Sequence, residues 1–366
     1  MKTIFINTIW ISLILAGSVG FKSTTAVIDT EAKIYLYKYF LIKTHPTGGI
    51  KIYSVANPAS PFVINSLTVE GTHDVAIVDT IMYADRRQSL IVYNVADMNN
   101  PKHIDSLPNI FNAYDFSVMP MMDGVVESHG WSCFDCIPAP RSDAVVTPST
   151  QTGQGGSMAR FIIVNEYLYC IDQSSLVVFL ISDPSKPVYR NRVQIGWDIE
   201  TIFAKDSLLY IGGRFGMYVY DIARPDLPER LSELRHTRGC DPVVVEDTVA
   251  YVTVRDGTNC GAGTNQLIIV GVGDIRNPVV LKTYQFGSPA GLAVQNGILY
   301  LCDLKNGLKI FSIAHYTDLS QIFSFPTLLP HDVIVHNSIL YTIGSTDINL
   351  YNVMNPNSPL FLSKLP

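Results

Sequence analysis

A short apolar run, closed by an aromatic or aliphatic residue and followed by a polar turn, is written seven times along this chain. The runs are 49–55, 90–95, 176–181, 217–222, 267–272, 308–313 and 348–353. Their anchors are Tyr53, Tyr93, Phe179, Tyr220, Val270, Phe311 and Tyr351. Tyr53 and Tyr93 are 40 residues apart, Phe179 and Tyr220 are 41, Val270 and Phe311 are 41, and Phe311 and Tyr351 are 40. Short strands recurring every 40–45 residues or so mark the blades of a β-propeller. The expected fold is therefore all-β, a seven-bladed β-propeller of about 41-residue repeats over 27–366.

Each repeat reads as four strands. In the second, Val75-Ala76-Ile77-Val78 is the first strand and Asp79-Thr80 the tight turn. Ile81-Met82-Tyr83-Ala84 follows, then 90–95 and 102–107. The turns Lys205-Asp206-Ser207, Glu246-Asp247-Thr248, Asn296-Gly297 and Asn337-Ser338 carry hairpin chemistry. A tyrosine recurs in the second strand, at Tyr83, Tyr169, Tyr210, Tyr251, Tyr300 and Tyr341. Proline precedes the fourth strand at Pro61, Pro101, Pro187, Pro228, Pro278 and Pro359; the sixth blade has Leu319 instead.

Two spacings depart from the period. Tyr220 to Val270 is 50, with the excess in a Gly-rich loop over 255–264. Tyr93 to Phe179 is 86, yet 119–159 holds Pro-rich stretches and glycines without an alternating apolar run. It reads as a loop inserted in the third blade, between 115–118 and 161–164, rather than as an eighth blade. Loops of this length carry function or stay disordered.

Composition narrows the function classes. Charged residues are 16%, net charge is −6 and no basic run exists, so nucleic acid is not an expected partner. An apolar content of 47% with 19 Tyr and 16 Phe suits sheets buried on both faces. Residues 1–20 read as a signal peptide: Met1-Lys2, an apolar stretch from Ile4 to Leu15, then the small residues 16–20. About a dozen apolar residues are too few to span a bilayer. No transmembrane helix is expected after cleavage. Leu15-Ala16-Gly17 resembles the start of a lipoprotein box, but Ser18 stands where the lipidated Cys would be. The expectation is an exported, unlipidated protein, whether periplasmic, secreted or on the cell surface.

The Met217-Tyr218-Val219-Tyr220-Asp221 pentad and the 176–187 run ending in its Asp-Pro-x-x-Pro turn resemble the LVIVD-repeat family of bacterial exported proteins. The segments 153–161, 196–201 and 240–245 resemble that family too. The resemblance covers roughly 33–366. It implies a propeller of the bacterial envelope, usually a surface lipoprotein, without assigned catalytic residues.

Chemistry could reside in a column at the start of the first strands. It contains Asp74, Asp115, Asp198, Asp241 and Asp332, with Lys33 in the first blade and Gly291 in the sixth. First strands line a propeller's channel, so the column would form a ring near one mouth, with His73, His331 and Glu200 close by. One reading is a carboxylate site for Ca²⁺ or another divalent ion. The other is that each Asp caps backbone N–H groups of its connecting loop. Repetition favours capping, because a feature present in most blades serves the fold. No cofactor is otherwise expected. Cys133 and Cys136 form a C-x-x-C in a Pro-flanked loop, the setting of a local disulfide rather than a redox centre. Cys170 and Cys302 lie in strand-like runs and read as buried small hydrophobes. No G-x-S-x-G, H-E-x-x-H or Walker loop occurs.

Two functions follow. The first is a binding or interaction scaffold for a protein or glycan at the cell envelope. The second is a metal-dependent hydrolase or lactonase-like propeller using channel carboxylates. Cys240 and Cys260 bracket the first two strands of the fifth blade and are expected to form a disulfide. Closing a loop of about 20 residues stabilises by roughly 3 kcal/mol in the chain-entropy model. Alkylation of native protein without reductant, followed by peptide mapping, should find both thiols protected; a free Cys240 refutes the pairing.

Overall fold

The computed structural model describes residues 32–112, 152–235, 242–256, 264–345 and 347–366. Seven antiparallel sheets occupy 33–67, 75–107, 161–194, 199–235, 243–285, 289–325 and 332–365, in chain order from innermost to outermost strand. They are the seven blades of a β-propeller. Among the described residues no helix is long and apolar enough to cross a membrane. All four strands of blade 3 fall after residue 160, with Phe161–Val164 innermost and paired to Tyr167–Ile171. The long insertion thus precedes this blade rather than splitting it. Residues 113–151 lie outside the described ones.

The local sequence explains each hairpin. The first turn residue adopts positive φ in all seven blades, at Lys38, Asp79, Asn165, Asp206, Asp247, Asn296 and Asn337. Six of these are Asp or Asn, whose short polar side chains tolerate that region. The Asp-Pro and Asn-Pro turns are Asx turns. Asp183 accepts from Ser185 N–H and Asn355 from Asn357 N–H; Asp97, followed by Met98, accepts from Asn99 N–H in the same way.

The anchors have a further role. In every blade the pairing of third and fourth strands slips by one residue just before the anchor, as between Val92 and Tyr93 or Val178 and Phe179. The extra residue sits unpaired on the outermost strand, Ile104 between the partners of Val92 and Tyr93 and Arg190 between those of Val178 and Phe179. A bulge twists an edge strand and spoils it as a template for another chain.

Apolar side chains pack between neighbouring blades. Ile334, Tyr341 and Leu350 of blade 7 cluster with Ile34, Leu41 and Tyr53 of blade 1. Blades 5 and 6 share Tyr251, Leu267, Leu301 and Phe311. The recurring tyrosines then join the repeated turns across these seams. Tyr83 donates its hydroxyl to the Pro184 carbonyl of blade 3 at 2.7 Å, and Tyr169 to the Pro225 carbonyl of blade 4 at 3.2 Å. The ring closes with no strand exchanged between the blades at its two ends. Instead Tyr53 donates to the Pro366 carbonyl at 2.7 Å and Ser363 to that of Pro58 at 2.5 Å.

Tyr83→Phe should destabilise by about 1 kcal/mol, the net worth of one hydrogen bond. Tyr169→Phe should cost a similar amount at a separate seam, and the pair should add. Urea denaturation checks both; a double variant as stable as wild type would show that the hydroxyls do not bind the blades.

Candidate functional site

Strand register fixes which residues ring the channel. In blades 2 to 7 the position is two residues before the partner of the second-strand tyrosine. It is Asp74, Arg160, Thr201, Pro242, Gly291 and Asp332 in turn. Lys33 takes it in blade 1, where Ile42 replaces the tyrosine. The ring therefore mixes two carboxylates with two cations.

The chain itself runs through this ring. Residues 152–160, the approach to blade 3, cross the centre before the chain enters Phe161–Val164. Thr152 bridges to Val78 of blade 2. Gln154 and Gly155 pair with Leu36 and Tyr35, as a fifth strand on the inner edge of blade 1. Gly156 N–H donates to the Ile34 carbonyl at 3.2 Å. Ser157 donates its hydroxyl to Asp332 Oδ1 of blade 7 at 2.9 Å and accepts from Leu292 N–H of blade 6 at 2.9 Å. Met158 N–H reaches Asp332 Oδ2 at 3.4 Å, and its carbonyl accepts from Lys33 Nζ at 2.6 Å. The Ala159 carbonyl accepts from Ile202 N–H of blade 4 at 2.8 Å. Asp74 Oδ2 accepts from the N–H groups of both Arg160 and Phe161.

Two glycines make the fit possible. A Cβ on Gly156 would lie 2.0 Å from Asp332 Oδ2, and one on Gly153 would lie 2.3 Å from the Tyr35 ring. Gly153 N–H instead donates to the Tyr35 hydroxyl at 3.0 Å.

Burial sets the electrostatics. It lowers the Lys33 amine to about 8, against the opposing pull of Asp74. It raises Asp332 to about 6, although Ser157, Val333 and Met158 hydrogen bonds favour the carboxylate. It also raises Asp74, which Lys33 and the Arg160 N–H partly offset, and lowers Arg160, which Asp85 and Asp74 offset.

The remaining expected residues divide. His73 donates Nδ1–H to Asp85 Oδ2 at 2.8 Å, and Asp85 Oδ1 accepts from the His73 and Asp74 N–H groups. His331 is buried and donates Nε2–H to the Ala32 carbonyl at 2.8 Å, tying blade 7 to blade 1. Glu200 sits at the register shift of Ile199–Lys205, where its charge acts on Arg160 and Arg255. Asp198 lies three residues before the ring position. It has positive φ and pairs with Arg214 at 3.0 Å, off the channel. Asp115, Asp241, Cys133, Cys136, Cys240 and Cys260 lie outside the described residues, as does the signal segment. Cys170 and Cys302 are free, buried thiols. Among the described residues no three His, Cys, Asp or Glu side chains converge as metal ligands. Sequence reasoning missed Ser157, Arg160 and Asp85. The signal for the first two was the Gly-rich run ending against a first strand.

No family model matches the chain, and no curated protein does. Solved structures share the fold. A Lactobacillus plantarum protein aligns with TM-score 0.62 at 12% identity, covering 91% of this chain and 95% of that one. Pseudomonas aeruginosa periplasmic gluconolactonase aligns with TM-score 0.60 at 9% identity, covering 92% and 95%. BamB from Moraxella catarrhalis aligns with TM-score 0.52 at 9% identity, covering 85% and 79%.

Asp332 gives a signed pH prediction. Its folded pKa of about 6 exceeds the unfolded value of about 3.9, so the folded state holds the proton more tightly. Its burial penalty is complete above pH 6 and fades as pH falls towards 4. The ceiling is about 3 kcal/mol. The melting midpoint of wild type minus that of Asp332→Asn should therefore rise as pH falls through this window. A difference that stays flat or falls would refute the assignment.

Proposed function

We propose that the protein is an exported scaffold of the LVIVD-repeat kind that binds a protein or glycan partner of the cell envelope on its outer surface, not in its channel. The observation that carries this reading is the segment 152–160 lying across the centre, with Asp74 and Asp332 already accepting its N–H groups. A divalent cation there would have to displace those donors. It would also sit among the positive charges of Lys33 and Arg160, whose interactions with Asp74 are the ring's own neutralisation. Outside the channel the molecule offers contact groups. Trp197 is 75% exposed, and Phe62 and Leu360 stand out from the outer strands of the adjacent blades 1 and 7. Aromatic groups of this kind are enriched at binding surfaces. The signal-like segment 1–20 and Ser18 support export without a lipid anchor.

The second reading is a lactonase-like hydrolase with Ca²⁺ bound at the Asp74–Asp332 ring. The fold shared with a periplasmic gluconolactonase favours it.

Thermal melting of the mature protein with Ca²⁺ and with chelator separates the two. A ligand that binds only the folded state raises its stability in proportion to the logarithm of one plus its concentration over its dissociation constant. On the scaffold reading the midpoints coincide. A midpoint raised several degrees by Ca²⁺, with the gain erased in Asp332→Asn, overturns it and puts the hydrolase first.

A further inference from the structure

The seam between blades 5 and 6 breaks the repeat twice. Blade 6 has Leu319 where the other blades place proline before the outer strand. The second break is at the outer-strand residue paired with the first apolar position of the third strand. Blades 1 to 4, 6 and 7 carry Leu67, Leu107, Val193, Leu234, Phe325 and Leu365 there. Blade 5 carries Tyr284. The two departures meet. The Tyr284 hydroxyl donates to the Thr317 carbonyl at 2.8 Å and accepts from Leu319 N–H at 3.2 Å. The altered turn is thereby fastened to the neighbouring blade.

Beside this junction lies an open, shallow cleft of about 350 Å³, within the size range of small-molecule sites. Tyr284, Phe286 and Leu319 line it. Phe286 is braced edge-on by the anchor Phe311, with ring centroids 5.9 Å apart. The rim carries the amides of Gln285, Gln321 and Asn306 and the amine of Lys309. Asp303 also borders the cavity, but its oxygens already accept from Gly287, Ser288, Lys305 and Asn306. Lys309 Nζ donates to the Asn306 carbonyl at 3.2 Å, and among the described residues it forms no ion pair. The cavity thus combines aromatic side chains, neutral groups that both donate and accept, and one cation that forms no ion pair among the described residues, with the hydrogen-bonded Asp303 carboxylate at its border.

We propose that this cleft binds a pyranose sugar bearing a carboxylate, a uronic-acid unit of a glycan. The apolar C–H face of a pyranose packs on an aromatic ring. Its hydroxyls need paired donors and acceptors, which side-chain amides supply. The carboxylate takes Lys309 in a charge-assisted hydrogen bond. An apolar ligand would strip water from the amide rim and the amine without replacing it. The assignment rests on the scaffold reading, of which it names the ligand class.

The test is saturation-transfer NMR on the mature protein with methyl glucuronide and methyl glucoside as probes. The glucuronide should bind about tenfold more tightly than the glucoside, the effect of one charge-assisted contact. Lys309→Gln should bring the glucuronide down to the level of the glucoside. Phe286→Leu should weaken both sugars. Circular dichroism and melting confirm that each variant folds. Absence of glucuronide binding overturns the proposal, as does equal binding of the two sugars, or glucuronide binding undiminished in either variant. Each of these failures leaves the comparison with Ca²⁺ and chelator unaffected, so the scaffold reading stands or falls separately.

Discussion

A chain that crosses the centre of a propeller brings main-chain N–H groups to a place where no ladder awaits them, and buried N–H groups without partners are costly. The Asp74 and Asp332 carboxylates meet that need. Asp332 takes Met158 N–H and the Ser157 hydroxyl, while Asp74 takes the N–H groups of Arg160 and Phe161. Much else follows from this capture. Glycine is required at 156 because the carboxylate comes too close for a Cβ. Lys33 is half-buried where its charge meets those of Asp74 and Asp332, while it bonds the Met158 carbonyl. Blades far apart in sequence, 1, 2, 4, 6 and 7, acquire a common partner at the centre.

The blades themselves were legible because their determinants are local and repeated. Seven anchors, the hairpin Asp and Asn residues, and the proline turns each recur at the blade period, and the structure uses all of them. What recurrence could not convey is how two such motifs meet. Tyr83 and the Pro184 turn are separated by about a hundred residues, with an insertion between, yet one hydrogen bond joins them. Likewise the register slip before each anchor is invisible in a list of apolar runs. It becomes visible only once the outer strand is paired, because the extra residue belongs to the partner strand.

The candidate site was less legible, for reasons of register and of sequence distance. Asp198 aligns with Asp74 when strand starts are matched by their turns. The irregular pairing between Ile199 and Thr201 shifts the chain, so Thr201 takes the ring position and Asp198 turns outward to Arg214. In blade 3 the position is Arg160, which reverses the sign of charge that Asp115 would have supplied. The expected column of five aspartates with Lys33 and Gly291 thereby becomes a ring of two carboxylates and two cations. His73 and His331, adjacent in sequence to the two ring aspartates, serve different ends. The first pairs with Asp85 and the second fastens the ring closure through Ala32.

Repetition and its breaches then separate structure from function. A feature that recurs in every blade is explained by the demands each blade shares: capping, edge protection and the seam. The central segment and the blade 5–6 seam occur once, so those shared demands do not account for them. They differ in what they leave exposed. In the centre the segment's N–H groups and the Ser157 hydroxyl are answered by the Asp74 and Asp332 carboxylates. At the blade 5–6 seam the tyrosine hydroxyl and the altered turn satisfy one another. The amides beside them and Lys309, whose amine meets only a main-chain carbonyl, still face solvent. A cation that forms no ion pair among the described residues, beside aromatic side chains, is the kind of residual demand that a ligand answers, and here it lies at the seam of blades 5 and 6.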